Sequence, residues 1–424
     1  MPKIAFYTLG CRSNQYETDV MKKICSSAGF DIVPFEEQAD IYVINTCTVT
    51  GNADKKSRHA IRIVKKKNSN STIIATGCYV ETDSFNMGDA DFILHNKNKL
   101  NIVNHIRDEI REMRDAKILP SPTSHLASRV RLNLMIENGC ENFCSYCIVP
   151  FVRGKITSKP FEQVMAEAKS MIKDGVKEIV LTGINLGEYR TDLPSPTSHL
   201  PSLVNALSKI DGLLRIRMSS IEPMYITDGL IKVVKENPKV CKHLHIPAQS
   251  GDDKILKAMN RNYTSKDFLN MTKKIREQIK DIAITTDIII GFPGEDEKAF
   301  KNTCTLAEQA RFSRIHIFSY SDRPGTAASK LPDKIDPKTI AIRHEKLEEI
   351  RDKLMLKFHR SFRKRPVEVL IEQKDRKTGM YEGLSGGFIR VFMAGDDTGD
   401  ECLGRLIPVK FMEFQGENVI ACPL

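Results

Sequence analysis

The chain has 424 residues, 41% of them hydrophobic and 28% charged, and a formal net charge of +10. That length supports two to four domains with real cores, and the composition is that of an ordinary globular protein. No apolar run approaches the ~18 residues of a membrane span, so no membrane partner is expected. The opening MPKIAFYTLG has no signal-peptide core, and a cytoplasmic location is the expectation. The positive balance permits an anionic partner such as nucleic acid without requiring one. Eleven cysteines are an odd number. In a reducing compartment, clustered thiols read as metal ligands before disulfides.

Residues 1–115 alternate short β-branched and aromatic runs, KIAFYTL, DIYVINT and STIIATG, with helical patterns such as 54–67. This predicts a small α/β domain with a parallel sheet. Residues 116–128, AKILPSPTSHLAS, read as a linker. Over 129–360 a second alternation begins, with strand candidates RLNLMIEN, EIVLTGI, LRIRMSS, HLHIP, AITTDIIIGF and RIHIFSY. Six such units predict a partial (β/α)6 barrel, with its chemistry at the C-terminal strand ends. A long helix is expected over 336–362, from Leu347, Ile350, Leu354 and Phe358 at helical spacing. Residues 361–424 carry short strands broken by GLSGG and AGDDTGD, the pattern of a small antiparallel β-barrel. The segment LPSPTSHL occurs at 119–126 and again at 193–200. Two Pro/Ser surface loops explain it, and no function is assigned.

Three cysteines, Cys140, Cys144 and Cys147, follow the first barrel strand in GCENFCSYC. A closed structural metal site wants four protein ligands, and so does a saturated four-iron cluster. Three close together suggest a centre with one position open. A zinc site with a distant fourth ligand, or unliganded buried thiols, are the alternatives. A second set lies upstream. Cys11, Cys47 and Cys78 each end a predicted strand, and the ends of parallel strands converge on one sheet edge.

The C-x3-C-x2-C run, with Tyr146 before its last cysteine, resembles the cluster motif of radical S-adenosylmethionine enzymes. YTLGCRSNQYETDVM, INTCTVTGNADKKSR and TGCY resemble the N-terminal domain of the methylthiotransferases. GCENFCSYCIVPFVRG, EIVLTGINLGEY, RMSSIEP, LHIPAQSGDDKILKAMNR, TDIIIGFPGE and FSYSDRPGTAA follow in that family's order. The last sixty residues resemble a TRAM domain, an oligonucleotide-binding-like barrel that holds tRNA. The resemblance spans almost the whole chain.

What it implies is a conversion of C–H to C–SCH3 on an adenine carbon, with two [4Fe–4S] clusters and S-adenosylmethionine as cofactors. Cys140, Cys144 and Cys147 would hold the cluster that cleaves the cofactor. Cys11, Cys47 and Cys78 would hold an auxiliary cluster that carries or donates sulfur. Tyr146, Gly183, Glu222, Gln249, Ser250, Ile290 and Gly291 would contact the cofactor. Glu222 would accept from the ribose hydroxyls, Gly183 would admit the methionine portion, and Ile290 and Gly291 would flank the adenine.

LTGI and TCTVTGNADKKSR look like the branch that modifies N6-threonylcarbamoyladenosine next to the anticodon. Isopentenyladenosine in tRNA and a ribosomal-protein aspartate are the alternative substrates. A non-catalytic RNA-binding module with structural metal is a third reading. The expected partners are the tRNA anticodon stem-loop and an electron donor such as a flavodoxin or ferredoxin, and a monomer is favoured. Residues 361–424 hold nine basic and ten acidic residues, so phosphate contacts are expected from local patches. Lys357, Arg360, Arg363, Lys364 and Arg365 form one, and the lysines and arginines of 55–67 form another. Tyr381 and Phe388 are candidates for base stacking or for core packing. Cys25, Cys241, Cys304, Cys402 and Cys422 are expected to be dispensable.

Overall fold

A computed structural model of the chain describes every residue except 83–84, 86–89, 110–128, 191–198, 364, 376 and 395–401. The expected linker 116–128 and the first LPSPTSHL copy lie outside the described residues. So do Lys364 and residues 193–198 of the second copy. The described chain falls into two units. One comprises Met1–Ser128, Asn138–Ile156 and Ser321–Ser329, and the other Arg129–Glu137, Thr157–Tyr320 and Lys330–Leu424. Among the described residues, no helix is long and apolar enough to cross a membrane.

The first unit contains β1 (Lys3–Thr8), α1 (Arg12–Ser27), β2 (Asp31–Val33), β3 (Ile41–Thr46), α2 (Gly51–Lys67), β4 (Thr72–Gly77), β5 (Phe92–Leu94) and α3 (Ile102–Glu109). A further short helix, α4, spans Val149–Arg153. The strands form one sheet in the order β2-β1-β3-β4-β5, and every pairing is parallel. Every residue of β3 is buried, as expected of a parallel strand covered on both faces. Strand periodicity sorts the core into two layers. Ile4 and Phe6 of β1 pack with Met21, Cys25, Ile102 and Ile106. Ala5 points the other way, toward Ile61 and Val64 of α2. The start of α2 is fixed by Thr50, whose side chain accepts from Ala53 N, and Lys65, Lys66 and Lys67 complement its carbonyl end. In chain order β2 lies on one side of β1 and β3 on the other. The sheet therefore reverses its winding between β1 and β3, and doubly wound sheets bind their ligands at such a point.

The two-residue strand β7 (Glu137–Asn138) falls on the boundary, and the second unit holds β6 (Arg131–Met135), the two-residue β8 (Thr157–Ser158), α5 (Phe161–Lys173), β9 (Glu178–Thr182), α6 (His199–Ser208), β10 (Arg215–Met218), α7 (Asp228–Glu236) and β11 (His243–His245). It continues with α8 (Asp253–Ala258), α9 (Ser265–Gln278), β12 (Ala283–Ile290), α10 (Glu297–Ala310), β13 (Arg314–Ser319) and α11 (Pro337–Arg360). Two parallel sheets, β10-β9-β6 and β11-β12-β13, are joined by single parallel bridges, Ile216 to Val240 and Ser220 to His245. Together they make the expected six-stranded partial barrel. The long helix α11 starts at Asp336, whose carboxylate caps Lys338 N and Thr339 N, with Pro337 in its first turn.

The chain ends in a closed five-stranded barrel, β14 (Val367–Lys374), β15 (Tyr381–Ser385), β16 (Arg390–Met393), β17 (Leu406–Gln415) and β18 (Asn418–Pro423). One pair in it, β16 with β18, is parallel, and the other pairs are antiparallel. Neither aromatic side chain considered for base stacking is available. Tyr381 sits in the barrel core. Phe388 stacks on His243 at 4.7 Å between centroids, with Arg217 over its ring.

A buried ion cluster ties this terminal barrel to the strands. Glu178 of β9 pairs with Arg215 at 2.7 Å and Arg217 at 2.9 Å. The arginines then donate to the carbonyls of Leu384 at 2.6 Å and Ser385 at 2.9 Å. Burial by itself would raise the Glu178 carboxyl, but the two guanidinium charges outweigh it and hold the group at about 2. Its ordinary value is 4.5, so the stabilisation it gives is complete above that pH and is lost as pH falls toward about 2. Glu178→Gln leaves two buried cations against a neutral amide. We expect a loss of about 3–5 kcal/mol in denaturant unfolding at neutral pH and a shallower decline of stability with acid. An unfolding curve identical to wild type would show the cluster to be energetically silent.

Candidate active site

Cys11, Cys47 and Cys78 follow β1, β3 and β4, three adjacent strands of one sheet, and so lie at one edge of it. Cys11 is the N-cap residue of α1. Cys47 is held by Ser57, whose hydroxyl lies 3.2 Å from the Cys47 amide and 3.1 Å from its carbonyl. The Cys78 amide donates to Thr46 O at 3.1 Å. Two glycines make this crowding possible. Gly10 and Gly77 have φ of +92° and +100°, and a Cβ on Gly10 would stand 2.7 Å from Cys47 Sγ. Only a residue without a side chain lets the Cys11 turn approach Cys47 this closely.

The electrostatics mark the edge as unusual. Burial pushes the Cys47 thiol up to about 11, and the neighbouring Cys11 and Cys78 sulfurs add to the shift. Burial raises Cys78 as well. Against them stands a buried cation, Arg153 of α4. Its Nε donates to Cys78 Sγ at 3.2 Å, and its Nη2 donates to Asn14 Oδ1 at 2.5 Å. Its Nη1 reaches Glu17 and Asn138, each at 2.8 Å. Glu17 also pairs with Lys99, which lies 3.3 Å from Asn45 Oδ1. Burial would raise the Glu17 carboxyl, but Arg153 and Lys99 override it and keep the group below its usual range. A second arginine holds the neighbouring loop. Arg323 donates to Asp54 at 2.6 Å and to Thr48, the residue after Cys47.

Cys140, Cys144 and Cys147 belong to the same unit and are partly buried. Their loop is a tight turn. Cys147 N donates to Cys144 O at 2.9 Å, Cys140 N to Gly154 O at 3.2 Å, and Ala328 N to Ser145 O at 2.7 Å. Tyr146 is partly buried beside Cys147. None of the eleven cysteines is in a disulfide. Each set offers three sulfurs, a donor set suited to iron–sulfur clusters. At the sheet edge the buried Arg153 charge opposes the negative charge that three thiolates bring. The residues fit the clusters the sequence implies.

The other candidates lie in the second unit, after its strands. Glu222 follows β10 and forms a two-point ion pair with Arg261, with Nη1 to Oε1 at 3.0 Å. Gln249 follows β11 with a φ of 61°, and its buried Oε1 lacks a hydrogen-bond partner among the described residues. Ser250 sits 3.3 Å from Thr303 Oγ1 and caps Asp252 N. A Cβ on Gly183 would lie 2.6 Å from Glu137 Oε2, so the Glu137 carboxylate already fills that side. Ile290 is wholly buried, and Gly291 donates to Glu295 Oε1 at 3.0 Å while facing Ile340. Of the basic patch, Lys357, Arg360 and Arg363 are exposed. Arg365 differs, because it is paired with Asp281 and lies over the Phe362 ring.

Sequence reasoning passed over Arg153, Glu17 and Asn14. The signal was present in PFVRG, where one arginine closes an otherwise apolar run six residues after Cys147.

Comparison with known proteins agrees with this geometry. Residues 135–307 match the Radical SAM superfamily, and residues 3–96 match the Uncharacterized protein family UPF0004. The threonylcarbamoyladenosine tRNA methylthiotransferase MtaB of Bacillus subtilis is 34% identical over 97% of this chain and 94% of its own length. MtaB of Thermotoga maritima is 33% identical over 100% of this chain and 97% of its own. The tRNA-2-methylthio-N(6)-dimethylallyladenosine synthase of Thermoanaerobacter pseudethanolicus is 34% identical over 97% and 92%. Among solved structures, the radical S-adenosylmethionine methyltransferase TsrM from Kitasatospora setae covers 77% of both chains with a TM-score of 0.56 at 12% identity, a likeness of fold alone. With two three-cysteine sets on such a frame, and full-length similarity to these enzymes, the chain belongs to the radical S-adenosylmethionine methylthiotransferase family.

Proposed function

We propose that the chain adds a methylthio group to carbon 2 of N6-threonylcarbamoyladenosine in the anticodon stem-loop of tRNA. The observation that carries this reading is the presence in one unit of two separate three-sulfur sets, one of them backed by the buried Arg153. Support for the threonylcarbamoyl substrate comes from three relatives named for it at 33–34% identity over most of this chain. The cofactors of this family are S-adenosylmethionine and [4Fe–4S] clusters. When bound, they supply the one-electron chemistry needed to break an unactivated C–H bond.

The chain's own residues divide the work. Cys140, Cys144 and Cys147 offer three ligands and leave one position for a cofactor chelate. Cys11, Cys47 and Cys78 hold the second cluster at the winding reversal of the sheet. Arg153 neutralises that site and, through Asn14 and Glu17, fixes the turn that presents Cys11. At the barrel strand ends, Gln249 has an unused amide oxygen to offer, and Glu222 offers a carboxylate oriented by Arg261. Ser250 and Gly291 follow strands of the same barrel, and Tyr146 stays beside Cys147 in its own loop. Lys357, Arg360 and Arg363 supply phosphate contacts at the end of α11. A flavodoxin or ferredoxin supplies the electron.

Five tests bear on this reading. Mass spectrometry of tRNA nucleosides from cells lacking the protein should show loss of the 2-methylthio group from threonylcarbamoyladenosine. Loss from the isopentenyl nucleoside instead would assign the other substrate. In the reconstituted enzyme, Cys144→Ala should abolish formation of 5′-deoxyadenosine. Cys47→Ala should keep that cleavage while blocking methylthio product, and normal product from this variant would remove the auxiliary site from the mechanism. Arg153→Met should lower bound iron from about eight to about four atoms per chain. Full iron retention there would reduce Arg153 to a packing residue. Replacing Lys357, Arg360 and Arg363 together by Ala should weaken tRNA binding and reduce the salt slope of log K by about two to three. An unchanged slope would place the phosphates elsewhere.

A further inference from the structure

The second unit contains a cluster of metal-ligating side chains that uses none of the cysteines. His245 ends β11, Asp287 lies in β12 and His316 in β13. The parallel register sets His245 beside Thr285, and Asp287 beside His316. Positions 285 and 287 share a face of β12, so the three side chains fall on one side of the sheet. One ligand atom from each lies within 4.8 Å of the other two. His245 Nε2 is 3.2 Å from Asp287 Oδ2, and the two imidazole rings meet edge to face at 5.7 Å.

The surroundings are those of a built ligand set. Each donor stands on a different strand, so backbone ladders fix their spacing, and sites on such elements are better defined than sites on loops. Thr285 Oγ1 lies 2.9 Å from His245 Nδ1 and 2.9 Å from His243 Nε2. A hydroxyl can accept from one ring and donate to the other. Accepting from His245 Nδ1–H frees the Nε2 lone pair and orients the ring, the usual outer-shell support for a ligating histidine. Arg314, two residues before His316 on β13, is paired with Glu417 at 2.7 Å. His245 and Asp287 keep 16% and 25% exposure, enough to leave a route in.

We propose that His245, Asp287 and His316 bind one divalent transition-metal ion of the zinc class. Two imidazoles and one carboxylate suit a borderline ion such as Zn2+, Co2+ or Fe2+, whereas Ca2+ and Mg2+ select oxygen ligands. Three protein ligands leave a coordination position open for water or an incoming oxygen or nitrogen donor.

The test uses the full chain with its iron–sulfur clusters reconstituted anaerobically. Zn2+ is titrated against a chromophoric competitor, and the bound zinc is examined by X-ray absorption. About one zinc per chain beyond the iron is expected, with nitrogen and oxygen neighbours at about 2.0–2.1 Å. Asp287→Asn and His316→Gln should each weaken zinc binding by at least about tenfold, with iron content unchanged. The proposal is overturned if the wild-type chain takes up no zinc. It is equally overturned by a sulfur neighbour at about 2.3 Å, which would put the ion on cysteines, or by variants that bind as wild type does. The absorption measurement on the wild-type protein decides the matter even if a variant fails to fold.

Discussion

Parallel strands all leave a sheet at the same edge, and in both units of this chain candidate site residues follow strands. In the first unit that rule assembles Cys11, Cys47 and Cys78 from positions dozens of residues apart. In the second it collects Gln249 and Ser250 after β11, Gly291 after β12 and Glu222 after β10. Loops are free to vary, but a strand end is fixed by the ladder behind it. That is why one sheet geometry can hold a set of soft ligands without a dedicated metal-binding loop.

The same constraint creates an electrostatic demand. Strands buried on both faces bring polar strand-end groups into a setting where an unpaired charge is costly. The chain answers with arginines that have several partners each. Arg153 serves Cys78, Asn14, Glu17 and Asn138. Arg217 serves Glu178 and two main-chain carbonyls. A guanidinium suits this use because its donors form a rigid fork and it does not discharge at any relevant pH. Lysine in either place would keep the charge and lose most of the bonds.

Much of this architecture was legible before any coordinates. Strand runs with β-branched residues stood out, and cysteines at equivalent post-strand positions pointed to a shared edge. Arg153 was not legible as a site residue, because its partners come from positions 14, 17, 78 and 138, and no local period links them. Gly183 illustrates a different limit. The resemblance assigned its open side to the methionine portion of the cofactor, but the group beside it is the Glu137 carboxylate, a neighbour only after folding. Tyr381 and Phe388 read equally well as stacking or packing residues, and burial and the His243 ring decided for packing. The terminal barrel was recognisable from its turns. Its parallel β16–β18 pair was not, since strand direction depends on closure and not on composition.

The terminal barrel is gripped through its main chain. Arg215 and Arg217 donate to the carbonyl oxygens of Leu384, Ser385 and Gly386, and a carbonyl is offered by every amino acid. At those three positions the mooring is indifferent to side-chain identity, while Phe388 in the same hairpin is fixed by its stack on His243. Evolution can retune the outer surface of that module, residue by residue, without ever loosening it from the strands beneath.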